Sequence, residues 1–232
     1  KFEEQILLNT VLIQNLTDGE LGTGFAIQKP LDANTSKFLL FSNKHVFWGD
    51  KDRDNPNAIK ELQYYIHRKV NGTYLLGDVA CVHGYLDRNQ EGYVEHPDTE
   101  VDVACINISH LFSSIPVGTM HLSPEVFFGL DFSTVHAGQT IMFVGYPSGF
   151  FDHKNFLPIV RSGTIACIPS VDFEGRKQIL IDAQVFPGSS GSPVFVAIQG
   201  KYKLLGIVSE APIRELDFHN VPFIGTSVGQ EG

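Results

Sequence analysis

The sequence predicts an all-β protein made of two closed antiparallel barrels, and three observations carry that reading. Short runs rich in Val, Ile and Phe are separated by Gly, Pro and Asn turns, a helical period is nearly absent, and the runs fall into two sets of about six. The 22 Gly and 18 Phe fit strands and tight turns better than long helices. With 232 residues the chain can form one large domain or two small ones, each with its own core.

In chain order, Ile6 to Gln14 reads as a strand, with Phe2 to Leu8 able to begin as a short helix. Thr17 to Glu20 forms a turn, and the glycine-opened run Leu21 to Ile27 is a second strand in which glycine marks a bulge or a close approach. Lys29 to Ser36 is a polar loop. Lys37 to Ser42 is a strand that delivers Asn43-Lys44-His45-Val46, and Asp50 to Asn57 is a charged loop. Ile59 to Val70 and Thr73 to His83 make a hairpin around Asn71-Gly72. Leu86 to Glu95 is irregular, and Asp102 enters the next buried strand. Ser109 to Thr134 connects two halves and holds a short helix opened by Ser123-Pro124-Glu125. Strands then follow at Gln139–Gly145, Pro158–Ile168, Gln178–Gln184, Pro193–Ile198, Tyr202–Ser209 and Val221–Val228, with an aromatic loop over Phe150–Phe156 that borders a cleft. The expected division is residues 1–110, a connection at 111–135, and residues 136–232.

Composition excludes several functions. A net charge of −9 without a dense Lys/Arg stripe argues against nucleic-acid binding. No apolar run of about 18 residues marks a membrane span. The three cysteines, Cys81, Cys105 and Cys167, read as buried free thiols rather than a disulfide scaffold, and with no visible signal peptide they lean toward a reducing, cytoplasmic setting.

The chemistry gathers around Pro187-Gly188-Ser189-Ser190-Gly191-Ser192-Pro193. A serine hydroxyl needs a base to take its proton and donors to receive the charge that develops on the substrate oxygen. Gly188 frees the backbone so that the amides of Gly188 and Ser190 can form an oxyanion hole. Gly191 leaves room for substrate backbone, and Pro193 stiffens the exit into the next strand. His45 supplies a base suited to neutral pH. Asp102, an acid leading into an apolar strand, needs a donor when buried, and an imidazole serves. Asp78, which begins the same four letters as Asp102, is the competitor and Asp98 a third choice.

His45, Asp102 and Ser190 occur in the chymotrypsin order, unlike the orders of subtilisins and α/β-hydrolases. Together with Gly22-Thr23-Gly24-Phe25, Ser42-Asn43-Lys44-His45-Val46, His96-Pro97, Val101-Asp102-Val103-Ala104, Gly145-Tyr146-Pro147 and Gly206-Ile207-Val208-Ser209, they make the chain resemble a trypsin-like serine endopeptidase over nearly its whole length. Asp182-Ala183 and Pro187-Gly188 are similar in style to bacterial HtrA-type and glutamyl endopeptidases. The cysteines flanking His45 and Ser190 in animal trypsins are missing, and the 232 residues include neither their Ile/Val-Val-Gly-Gly motif nor the PDZ segment of HtrA proteins.

The resemblance implies two Greek-key barrels with the site at their seam. It implies Ser190 as nucleophile, His45 as proton shuttle, Asp102 as orienting acid, a polypeptide substrate, and no metal or organic cofactor. Substrate would add as a strand along Ser209, Glu210 and Ala211, with Gln184 at the floor of the primary specificity pocket. Gln184 and Val208 stand where trypsins carry Asp and glutamyl endopeptidases carry His, which implies a preference for a medium apolar or neutral polar residue before the scissile bond. Glu210 favours basic residues further upstream. Two other readings stand beside an active endopeptidase: a pseudoprotease that only binds peptides, and a regulated protease domain from a larger chain.

Overall fold

The computed structural model describes residues 2–32, 36–70, 73–114, 126, 129–147 and 150–209. Two antiparallel sheets dominate it. The first contains β1 (Thr10–Asn15), β2 (Glu20–Pro30), β3 (Ser36–Ser42), β4 (Ile59–Val70), β5 (Thr73–Asp87), β6 (Tyr93–Glu95) and β7 (Ala104–Asn107), in the order β5-β4-β1-β2-β3-β7-β6. The second contains β8 (Thr140–Gly145), β9 (Ile159–Ile165), β10 (Ile181–Asp182), β11 (Pro193–Ile198) and β12 (Lys201–Ile207), in the order β10-β9-β8-β11-β12. The strand expected at 221–228 lies outside the described residues, as do Asn71-Gly72 and, apart from Val126, the helix expected from Ser123.

Alternation along the strands builds a core for each sheet. Val11, Ile13, Leu40, Leu62, Ile66 and Ile106 fill the first, joined by Phe47 and Trp48. Ile141, Phe143, Ile165, Val194 and Val196 fill the second. Pro193 opens β11, where a missing N–H costs least.

Several local expectations are corrected. Residues 2–9 form a helix, α1 (Phe2–Asn9), before β1 begins at Thr10. Phe2 and Ile6 are one turn apart, so both reach the second sheet: Phe2 stacks on Tyr202 at 4.5 Å, and Ile6 is buried with Met142, Val144 and Phe195. His45 stands in a short helix, α2 (Lys44–Asp52), broken where Gly49 takes φ 69°. The stretch read as irregular contains β6, because β7 supplies its backbone partners and the Tyr93 hydroxyl accepts from Trp48 Nε1 at 2.6 Å. Cys81, Cys105 and Cys167 are free, but none is fully buried: Cys81 is exposed, and Cys105 and Cys167 are half-buried. Cys81 falls on the outward row of β5 with His83 and Tyr85, while Ala80 and Leu86 face in.

The β4/β5 hairpin leans on the aromatic loop at 150–157. Gly77 N donates to Asn155 O at 2.9 Å, Tyr65 stacks on Phe156 at 5.0 Å, and the Tyr146 hydroxyl donates to Phe156 O at 3.2 Å. His67 is fully buried, and among the described residues neither ring nitrogen is hydrogen-bonded. Burial lowers its pKa, an effect the nearby backbone of Asn155 and Phe156 only partly offsets. A buried neutral histidine leaves the unfolded chain binding more protons, so stability falls as pH drops below about 6.5. Thermal unfolding at pH 5 and pH 7.5 should show this loss in the wild type and a smaller one in His67→Phe; equal losses would remove His67 as the cause.

Candidate active site

His45 is placed by the end of β3. Ser42 and Asn43 are fully buried there: Ser42 Oγ donates to Thr23 O at 2.6 Å, and Asn43 Nδ2 to Asp102 O at 2.7 Å. Asn43 has an extended backbone and starts α2, but its side chain holds the Asp102 loop instead of capping the helix. Lys44 adds a second tie, its Nζ donating to Thr99 O at 3.1 Å.

These contacts bring His45 and Asp102 together. His45 Nδ1 donates to Asp102 Oδ2 at 2.5 Å, and His45 N to Asp102 Oδ1 at 3.3 Å. Arg53 Nη2 stands 3.7 Å from Oδ1. Burial alone would raise the Asp102 pKa, but the hydrogen bonds and charge of His45, with the Arg53 guanidinium, outweigh it and hold the carboxyl below its ordinary value. The two rival acids lie elsewhere. Asp78 pairs with Arg68 Nε at 3.1 Å on the hairpin, and Asp98 accepts from Glu100 N and faces Lys177.

Ser190 lies in the turn-rich segment between β10 and β11. Ser189 N donates to Phe186 O at 3.0 Å and closes a turn with Pro187 and Gly188 at its centre. Gly188 has φ 82°, as the third position of a type II turn requires. Ser192 N donates to Ser189 O, and Gly191 N to Val208 O at 2.8 Å. Among the described residues the amides of Gly188 and Ser190 donate to nothing, and the part-exposed Ser190 hydroxyl makes no hydrogen bond, including none to His45.

Thr23, which sequence reasoning did not single out as functional, joins this segment to the first sheet. Its N donates to Ser190 O at 2.8 Å, its Oγ1 donates to Gly188 O at 3.0 Å, and the same Oγ1 accepts from Tyr146 N at 2.9 Å. The Thr23 carbonyl accepts from Ser42. One residue therefore links the Ser190 backbone to the end of the strand preceding His45. The glycines flanking Thr23 were the available signal: a Cβ on Gly22 would meet Val46 at 2.5 Å, and one on Gly24 would meet Phe41 O at 2.9 Å.

Gly191 is corrected too. The space beside it is taken by Thr23, whose carbonyl would stand 1.7 Å from an added Cβ, rather than left for substrate. Gln184 is exposed, and its carbonyl accepts from Arg161 Nη1 at 3.1 Å. Val208 is buried and donates to Ser192 O, and Ser209 follows β12. Glu210 and Ala211 lie outside the described residues. Among the described residues no group of three or more His, Cys, Asp or Glu could hold a metal ion, and no helix is long and apolar enough to cross a membrane.

Comparison with known proteins agrees with this architecture. The profile of the trypsin-like peptidase domain matches residues 22–207. No curated protein matches the sequence. Among solved structures, the crystal structure of Deg5 superposes with a TM-score of 0.52 at 15% identity, covering 86% of this chain and 84% of that one, a likeness of fold. The matched span runs from the Gly22-Thr23-Gly24 strand through His45, Asp102 and Ser190 to the end of β12, and the chain belongs to the trypsin-like peptidase family.

Proposed function

We propose that the chain is a serine endopeptidase that cleaves polypeptides through an acyl-enzyme intermediate. Ser190 Oγ attacks the scissile carbonyl carbon while His45 Nε2 takes the hydroxyl proton. The free amides of Gly188 and Ser190 receive the developing oxyanion. His45 returns the proton to the leaving amine, which departs as the acyl-enzyme forms. Water, deprotonated by His45, then attacks the acyl carbon, and His45 returns that proton to Ser190 Oγ as the acid is released. Asp102 holds the Nδ1 proton so that Nε2 faces the serine, and it stabilises the imidazolium. Residues 1–110 and 136–232 serve as the two barrels, and an extended substrate pairs with Ser209, Glu210 and Ala211.

The observation that carries this reading is the 2.5 Å contact between His45 Nδ1 and buried Asp102, braced by Asn43 and Arg53. A buried carboxylate oriented on one imidazole nitrogen leaves the other free for proton transfer. A fluorophosphonate probe should label the wild type and fail to label Ser190→Ala of unchanged fold. An unlabelled wild type would overturn the reading and favour a peptide-binding module without turnover. In a peptide library, medium apolar or neutral polar residues should be selected before the cut; strong selection for Arg, Lys or Glu would refute that preference.

A further inference from the structure

Arg161 is a half-buried cation on the second sheet with a set of contacts that the proposed chemistry does not use. It sits on the inward row of β9 with Ile165, paired across the ladder with Phe143 of β8. From there Nη1 donates to Gln184 O at 3.1 Å and to Ser189 Oγ at 3.2 Å. The guanidinium carbon lies 5.1 Å from the centre of the Phe186 ring and 5.6 Å from that of Phe143. Among the described residues no carboxylate pairs with it, and burial draws its pKa down with nothing opposing. A half-buried cation without a counter-ion is costly, so its binding to the loop has to offset that cost.

Its contacts fall at both ends and in the middle of the segment 184–189. Ser189, fully buried, stands between Gly188 and Ser190, the residues whose amides are free. Ser189 Oγ also accepts from Phe186 N at 3.4 Å, so one hydroxyl couples the guanidinium to the start of the Phe186–Ser189 turn. Type I and type II turns differ in which way the central peptide faces, and a glycine at the third position permits either. A tie at Gln184, Phe186 and Ser189 selects between them.

Building on the endopeptidase reading, we propose that Arg161 is a positioning residue that clamps the 184–189 segment so that the Gly188 and Ser190 amides converge on the substrate oxygen. It touches no reacting atom, and its effect passes through Ser189 and the turn. A planar, forked donor that also lies on an aromatic ring fits this task, whereas an ammonium satisfies it only in part.

The test measures the fluorophosphonate labelling rate, kcat and KM on a peptide substrate, and thermal unfolding for the wild type, Arg161→Met, Arg161→Lys, Arg161→Ala, Ser189→Ala and the Met/Ala double variant. Arg161→Met should lower labelling and kcat by about 10- to 100-fold with KM nearly unchanged. Arg161→Lys should recover a minor part, and added guanidinium should restore labelling of Arg161→Ala. The double variant should be little worse than the worse single one. Labelling of Arg161→Met at the wild-type rate would overturn the proposal. So would a loss matching only its unfolded fraction, without rescue by guanidinium. An unlabelled wild type refutes the endopeptidase reading and the clamp with it, whereas failure confined to the variants refutes the clamp alone.

Discussion

Asp102→Asn is expected to lower kcat/KM for peptide hydrolysis by about four orders of magnitude, with the fold retained. The carboxylate receives the His45 Nδ1 proton at 2.5 Å and a second hydrogen bond from the His45 backbone. An amide of the same shape keeps the space filled but removes the charge that stabilises the imidazolium and fixes its tautomer. The backbone contact from Asn43 to Asp102 O does not involve the substituted group, so the loop keeps its place. Asp78→Asn serves as the control: its partner is Arg68 on the exposed hairpin, and activity should stay within twofold or so of wild type. Similar activity of the two variants would remove Asp102 from the mechanism.

The same carboxyl predicts an acid limit. Its folded pKa lies below the ordinary value, so the ionised form stabilises the native state at pH above the unfolded pKa of about 3.9, and that stability is lost as pH falls through the folded pKa. Unfolding of Asp102→Asn followed down to pH 2 should lack this contribution. It is separate from the loss assigned to His67, which begins near neutrality.

Gly191→Ala is expected to destabilise the protein by about 4 kcal/mol or more, or to prevent folding outright. Two independent costs coincide there. The residue has φ 85°, where a side chain is strained, and the new Cβ would stand 1.7 Å from Thr23 O and 2.4 Å from Ser42 Oγ. Neither neighbour is free to retreat, since Ser42 Oγ donates to Thr23 O and Thr23 N donates to Ser190 O. Any population that folds should also lose labelling at Ser190, because relief of the clash pushes Thr23 away from the Ser190 segment. Gly206→Ala, where nothing lies within 4 Å of the added Cβ, should stay within about 1 kcal/mol of wild type. Denaturant unfolding of both variants decides the matter; equal stabilities would show that the seam is looser than its geometry implies.

Much of the fold was legible because its signals are local. The β4/β5 hairpin, β8 and the proline-led β11 follow from alternation and turn residues within each stretch, and Pro187-Gly188 announces its own turn. The order of His45, Asp102 and Ser190 was legible as well. Where the reading failed, the deciding partner lay on another element of the fold. The α2 helix around His45 forms where Asn43 reaches Asp102, and β6 forms where β7 is available to pair with it. Cys81 reads as an apolar core residue until the pairing of β5 with β4 turns it outward.

The sequence by itself determined the residue types that the proposed chemistry uses, their order, and many of the strands and turns that present them, because backbone preference and hydrophobic period act over a few residues at a time. Only the tertiary structure decided that Asn43 and Arg53 brace Asp102 against His45, that Thr23 fills the space beside Gly191, and that Arg161 reaches Ser189. Those choices depend on which surfaces meet when the two sheets pack, and apart from the glycines that flank Thr23 the contacting residues carry no local mark of it.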